Sequence, residues 1–197
     1  SSLSDPIVVT VNPAVVTVIN ANDSGPGSLR QAIADVCDGG TVNFDMSEMV
    51  SPITLTSGEL LINKNLTIQG PGANLLTISG NNNSRVFNIQ AGKTVSISGL
   101  TISNGNSGTG NSGGGVLNNG ALTLTECTVA GNTAAVGGGG ISNNGASSSA
   151  SLTIIRSNVS GNSAPSFGGG IFSSGFQGNA TLTIINSTIS GNTFPSF

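Results

Sequence analysis

The sequence predicts an all-β chain folded as a three-sided parallel β-solenoid of about five coils, with a short helix capping its N-terminal end. Three observations carry that expectation: a repeat at a fixed spacing, three short apolar runs within each repeat, and glycine and asparagine at the points between them. The repeat is plainest in three segments that align without gaps thirty residues apart, ALTLTECTVAGN at 121–132, SLTIIRSNVSGN at 151–162 and TLTIINSTISGN at 181–192. Fixed periods of this length are the mark of solenoids, in which one repeat cannot bury its own apolar face and stacking supplies the partner. Looser copies lie at 94–104 (TVSISGLTISN) and 65–81 (NLTIQG, an insertion, then LLTISGN), and a second shared element recurs between copies as GGGVLNNG, GGGISNNG and GGGIFSSG at 113–120, 138–145 and 168–175.

Each element of the coil follows from local chemistry. Leu122 and Leu124, Leu152 and Ile154, and Leu182 and Ile184 alternate with threonine, the period-two pattern of a strand with one face inward. Val129, Val159 and Ile189 mark a second strand, and Val116, Ile141 and Ile171 a third. Gly131, Gly161 and Gly191 supply the positive φ of a tight corner, and Asn132, Asn162 and Asn192 after them are expected to stack as an asparagine ladder. The triple glycines predict a close backbone approach or a bulge at another corner. They do not predict a phosphate cradle, because no lysine or acid follows at the required place.

The first forty residues differ. In SGPGSLRQAIADVC at 24–37, Leu29, Ala32, Ile33 and Val36 recur at helical spacing after a Pro and Ser start signal, which predicts an amphipathic helix laid over the first coil. Residues 7–11 and 15–19 read as strands of this cap, which takes up residues 1–40, and 41–44, 53–55 and 60–62 as the first, irregular coil of a body at 41–197. The far end shows no cap: TFPSF at 193–197 follows the last repeat, much as APSF at 164–167 precedes a GGG run.

Composition bounds the function. Of 197 residues, 30 are glycine, 36% are hydrophobic and only 7% are charged, against about 25% charged in ordinary domains. The net charge of −3 and five scattered basic residues argue against a nucleic-acid surface, which needs clustered cations. No apolar run reaches the ~20 residues that span a bilayer, and no basic-then-apolar leader opens the chain, so Ser1 reads as a mature end. Cys37 and Cys127 fall in unlike settings and read as two small buried side chains rather than a disulfide.

These residues resemble bacterial secreted proteins with right-handed parallel β-helix repeats. The likeness runs from NDSGPGSLRQAI at 22–33 through ITLTSGELLI at 53–62 and LTIQGPGANLLTISGN at 66–81 to the GGGI and STISGN repeats. The GGG-plus-aliphatic elements are also similar to the repeats of chlamydial polymorphic outer membrane proteins, although that family's FxxN motif is absent here. The resemblance implies the right-handed sense of the helix and an extracellular or cell-surface setting, in which the chain is often part of a larger surface protein.

Many β-helices cleave polysaccharides, and the residues argue against it here. Glycoside hydrolysis needs two carboxylates about 5 to 9.5 Å apart, yet after Glu59 the chain holds one acid, Glu126. Arg156 lies one repeat above it and predicts a surface ion pair. With no histidine, zinc and Ser-His-Asp sites drop out. Asp35, Asp38, Asp45, Glu48 and Glu59 cluster early and read as a solvated cap surface, with a cation site as the alternative. No cofactor is called for. Thr67, Ser96, Thr123, Thr153 and Thr183, beside Thr94, Ala121, Ser151 and Thr181, form an outward hydroxyl column suited to ice or carbohydrate, though threonine also suits any solvated strand.

The sequence therefore predicts a non-enzymatic extracellular solenoid used as a stalk, adhesin or fibre subunit. The long apolar start and the uncapped end suggest head-to-tail self-association through Ile7, Val9, Val11, Val16 and Val18 of one copy and Ile184, Ile189, Phe194 and Phe197 of the next. The alternatives are a carbohydrate-binding or polysaccharide-degrading β-helix and an ice-binding surface.

Overall fold

A computed structural model describes residues 11–146 and 148–194. The described residues begin with β1 (Val15–Val18) and α1 (Leu29–Asp35), the one helix among them, and then wind through repeated three-strand turns. The first turn holds β2 (Gly40–Phe44), β3 (Ile53–Thr54) and β4 (Leu60–Ile62); the second β5 (Leu66–Gln69), β6 (Thr77–Ser79) and β7 (Phe87–Ile89). The third holds β8 (Thr94–Ser98), β9 (Thr101–Ser103) and β10 (Val116–Asn118); the fourth β11 (Ala121–Thr125), β12 (Thr128–Ala130) and β13 (Ile141–Asn144). The fifth holds β14 (Ser149–Ile155), β15 (Asn158–Ser160) and β16 (Ile171–Ser174), and the last β17 (Asn179–Ile185) and β18 (Thr188–Ser190).

Stacking these turns makes three parallel sheets. The first sheet has seven strands in the order β1-β2-β5-β8-β11-β14-β17, the second six (β18-β15-β12-β9-β6-β3) and the third five (β16-β13-β10-β7-β4). The solenoid thus has about six turns, not five. Five of these turns are complete, and β17 and β18 form a sixth, incomplete one; the irregular first coil at 40–62 pairs in register with the second turn although its sequence departs from the repeat.

Register explains why apolar side chains can be so few and still form a core. Val42, Ile68, Ile97, Leu124, Ile154 and Ile184 lie in one column of the first sheet, and Ile53, Ile78, Ile102, Val129, Val159 and Ile189 in one column of the second. Period two sends these side chains inward and their neighbours outward. The result is one thin buried cluster that runs from Val18 to Val159.

At the N-terminal end, β1 pairs with β2 and adds a first rung to the seven-stranded sheet. The helix α1 packs against β1 and β2. Ser28 caps it by accepting a hydrogen bond from the Gln31 N–H at 3.2 Å, and Leu29, Ala32, Ile33 and Val36 are buried against the first coil. Lys64 holds the other end of the helix, its ammonium donating to the carbonyls of Ala34 and Val36 at 2.8 Å each.

Candidate functional site

The corner after the second sheet carries the predicted ladder residues. Gly131, Gly161 and Gly191 have φ of 65°, 63° and 60°, and the next residue turns its side chain into the stack. Asn132 Nδ2 donates to Asn162 Oδ1, and Asn162 Nδ2 to Asn192 Oδ1, both at 2.9 Å. The backbone N–H of Asn132 and of Asn162 also donates to the Oδ1 of the next asparagine, at 3.0 and 3.1 Å. Asn132 and Asn162 are fully buried, so the ladder satisfies groups that would otherwise be costly.

The triple glycines belong to the same feature rather than to a separate corner. A Cβ on Gly140 would stand 3.0 Å from Asn162 Cγ, and one on Gly115 equally close to Asn132 Cγ. The glycine run passes directly over the ladder amides, and no side chain fits between.

A second polar ladder escaped sequence reasoning. In the third sheet the inward column that starts as Ile62 and Ile89 continues as Asn118, Asn143 and Ser173. Asn118 Nδ2 donates to Asn143 Oδ1 at 2.8 Å and Asn143 Nδ2 to Ser173 Oγ at 2.9 Å, with both asparagines fully buried. The NN, NN and SS pairs after the GGG elements were its signal, and they pass for ordinary turn residues.

The last rung is the most exposed apolar feature that the repeat creates. Leu182, Ile184 and Ile189 are 39%, 44% and 42% exposed, whereas their counterparts one turn earlier, Leu152, Ile154 and Val159, are at 1%, 0% and 0%. Phe194 is exposed as well. At the other end Val11, Val15 and Ile19 are exposed beside the free edge of β1. Two residues assigned to the N-terminal contact surface belong elsewhere: Val18 is fully buried and Val16 is packed against the core. They occupy the inward positions of β1, and α1 folds over them. Ile7, Val9 and Phe197, and most of the strand expected at 7–11, lie outside the described residues.

The ionisable groups are dispersed. Arg156 meets Glu126 at 2.9 Å, with both side chains more than half exposed. Asp38 accepts from the Asn65 N–H and amide, which hold its carboxyl below the usual range, and Asp45 is lowered in the same sense by Ser47. Glu59 pairs with Arg85, whose guanidinium also donates to the carbonyls of Gly113 and Ser112. Among the described residues no three His, Cys, Asp or Glu side chains gather as a metal would require. Cys37 and Cys127 are free thiols, and burial pushes the Cys127 thiol up.

Compared with protein-family models, with curated proteins and with solved structures, the chain finds no match. Its chemistry is therefore read from its own geometry.

Asp23 is built into a cluster of its own. Burial raises its pKa, but hydrogen bonds from Arg30, Ser57 and Thr56 and the Arg30 charge outweigh that and hold it at about 2. Arg30 Nη2 donates to Asp23 Oδ1 at 2.8 Å and to the Gly58 carbonyl at 2.7 Å, and Nε and Nη1 donate to the carbonyls of Asp23 and Glu59. Every partner of Asp23 is structural: the cluster pins the loop before α1 to the turn at 56–59. The hydroxyl column also has its register, with Thr41, Thr67, Ser96, Thr123, Thr153 and Thr183 on successive strands of the first sheet.

Proposed function

We propose that this chain is a non-enzymatic structural solenoid of an extracellular or cell-surface protein, and that its last rung receives the N-terminal end of a second copy. The observation that carries the reading is the contrast between Leu182, Ile184 and Ile189 and their buried counterparts one turn earlier. Covering three aliphatic side chains that are each about two-fifths exposed is worth about 2.5 kcal/mol, at about 2 kcal/mol for a full burial. Among the described residues β17 and β1 are the two edges of the first sheet. Joining them continues the sheet without closing it, the geometry of a growing filament.

The dispersal of the carboxylates supports a structural role over a hydrolytic one. Glu126 is engaged by Arg156 in an exposed pair, Glu59 by Arg85, and Asp23 by Arg30. Each of these carboxylates is thus engaged by an arginine, whereas glycoside hydrolysis needs one carboxyl free to protonate the leaving group and a second facing it across the sugar.

Electron microscopy and sedimentation velocity of the 197-residue chain across a concentration series test the proposal. Filaments that lengthen with concentration, and that are lost in Ile184→Asp and Ile189→Asp, are the expected result. Monomers at every concentration, or filaments unchanged by both substitutions, overturn the head-to-tail contact.

A further inference from the structure

The outer face of the third sheet is a groove. Two adjoining depressions of about 480 and 310 Å³ meet at Ala146 and together run from Leu61 on β4 to Ser174 on β16. Five strands at ~4.8 Å spacing make this a track about 19 Å long, parallel to the solenoid axis. One bank is the loop at 110–112, which Arg85 anchors through the Ser112 and Gly113 carbonyls.

The lining combines amides, a hydroxyl and an aromatic platform. Asn88, Asn119 and Asn144 line it from rung to rung, and Asn144 Nδ2 donates to Asn119 Oδ1 at 2.9 Å. At the upper end Phe172 stacks on Phe167, with ring centroids 5.1 Å apart, and Phe176 is 72% exposed. The only charged residue lining these two depressions is Arg85, and Glu59 neutralises it.

We infer that this groove binds a neutral polysaccharide chain laid along the solenoid axis. Pyranose rings offer apolar C–H faces to a phenyl ring and hydroxyls to amides, so each wall has a matching partner. An anionic glycan would need a free cation in the groove, and an amino sugar a free carboxylate; Arg85 and Glu59 have already consumed each other. A protein partner would favour an apolar patch throughout, whereas here the aromatic surface is confined to one end and the rest is an amide track. The inference does not depend on end-to-end stacking, because the groove lies on the side of the solenoid.

The test is affinity electrophoresis and isothermal titration calorimetry of the full chain with soluble β-glucan, xylan and galactomannan, and with polygalacturonate as the acidic control. Saturable binding of at least one neutral polymer and none of polygalacturonate is expected. Phe176→Ala, at an exposed position that leaves the fold intact, weakens that binding at least tenfold; Asn144→Ala weakens it too, and Thr153→Ala on the first sheet leaves it unchanged. Absence of binding to every neutral polymer, equal binding of polygalacturonate, or affinity unaltered by Phe176→Ala overturns the inference. Absence of neutral binding together with capture of a protein assigns the groove to a protein ligand instead.

Discussion

Replacing Asn162 by alanine perturbs the interior of the ladder at its most connected point. Its Nδ2 donates to Asn192 Oδ1 and the Val129 carbonyl, both at 2.9 Å, and to the Ser160 carbonyl at 3.1 Å, while its Oδ1 accepts from the Asn132 N–H and amide. Alanine leaves the buried Asn132 N–H and the Val129 carbonyl without these partners, at about 1 to 3 kcal/mol for each orphaned group. The expected cost is therefore about 2 to 6 kcal/mol. Asn192 supplies the same acceptor to Asn162 but is itself half covered on the open rung, where water reaches the vacated groups, so Asn192→Ala is expected to cost about 1 to 2 kcal/mol. Urea denaturation followed by far-ultraviolet circular dichroism measures both, with hydrogen exchange to detect turns that uncouple, since repeat arrays need not unfold in one step. A cost below about 1 kcal/mol for Asn162→Ala, or equal costs for the two variants, would refute the view that burial gives the ladder its strength.

Two further outcomes follow from the glycines and from Asp23. Gly139→Ala drives a Cβ into the carbonyl oxygens of Ser163 and Gly169, whereas Gly161→Ala meets nothing nearer than 4.0 Å and only strains a residue at φ 63°; the first is expected to lose several kcal/mol and the second about 1, and urea titrations returning the reverse order would sink the steric account. Asp23 has a folded pKa of about 2, below its ordinary 3.8, so its stabilisation is full above the ordinary value and is lost as pH falls towards the folded one. That contribution is about 2 kcal/mol. Asp23→Asn should lower stability near neutral pH by this amount and flatten the decline between about pH 4 and pH 2, and an unchanged acid profile would contradict the clamp.

What the sequence made legible was what repeats. Identical columns at a spacing of thirty announce stacked strands, and Gly-Asn at the end of each copy announces a corner with a ladder, because both are local patterns copied from turn to turn. Contacts between unlike positions left no such trace. Asp23 reaches Thr56 and Ser57, and Arg85 reaches Glu59, across turns of unequal length. The second ladder was hidden for another reason: an inward column changes from isoleucine to asparagine midway, and polar residues beside glycine look like turn chemistry. Val18 was misplaced because alternation gives two faces without saying which is covered; the helix that covers it lies eleven residues further on.

The two ends of the solenoid are not equivalent, and this sets how strong a junction between copies can be. An internal turn is held by hydrogen bonds in all three sheets, whereas at the N-terminal end, among the described residues, only the first sheet carries a further strand, β1, and the other two end at β3 and β4. Only the first sheet can therefore continue across a junction, from β17 to β1. The Asn162 N–H donates towards the open end, into Asn192. By the same geometry the Asn192 N–H points out of that end, and a helix surface offers it no asparagine acceptor. A head-to-tail junction thus pairs one sheet where an internal turn pairs three, so filaments built this way should come apart on dilution while the solenoid within each copy stays folded.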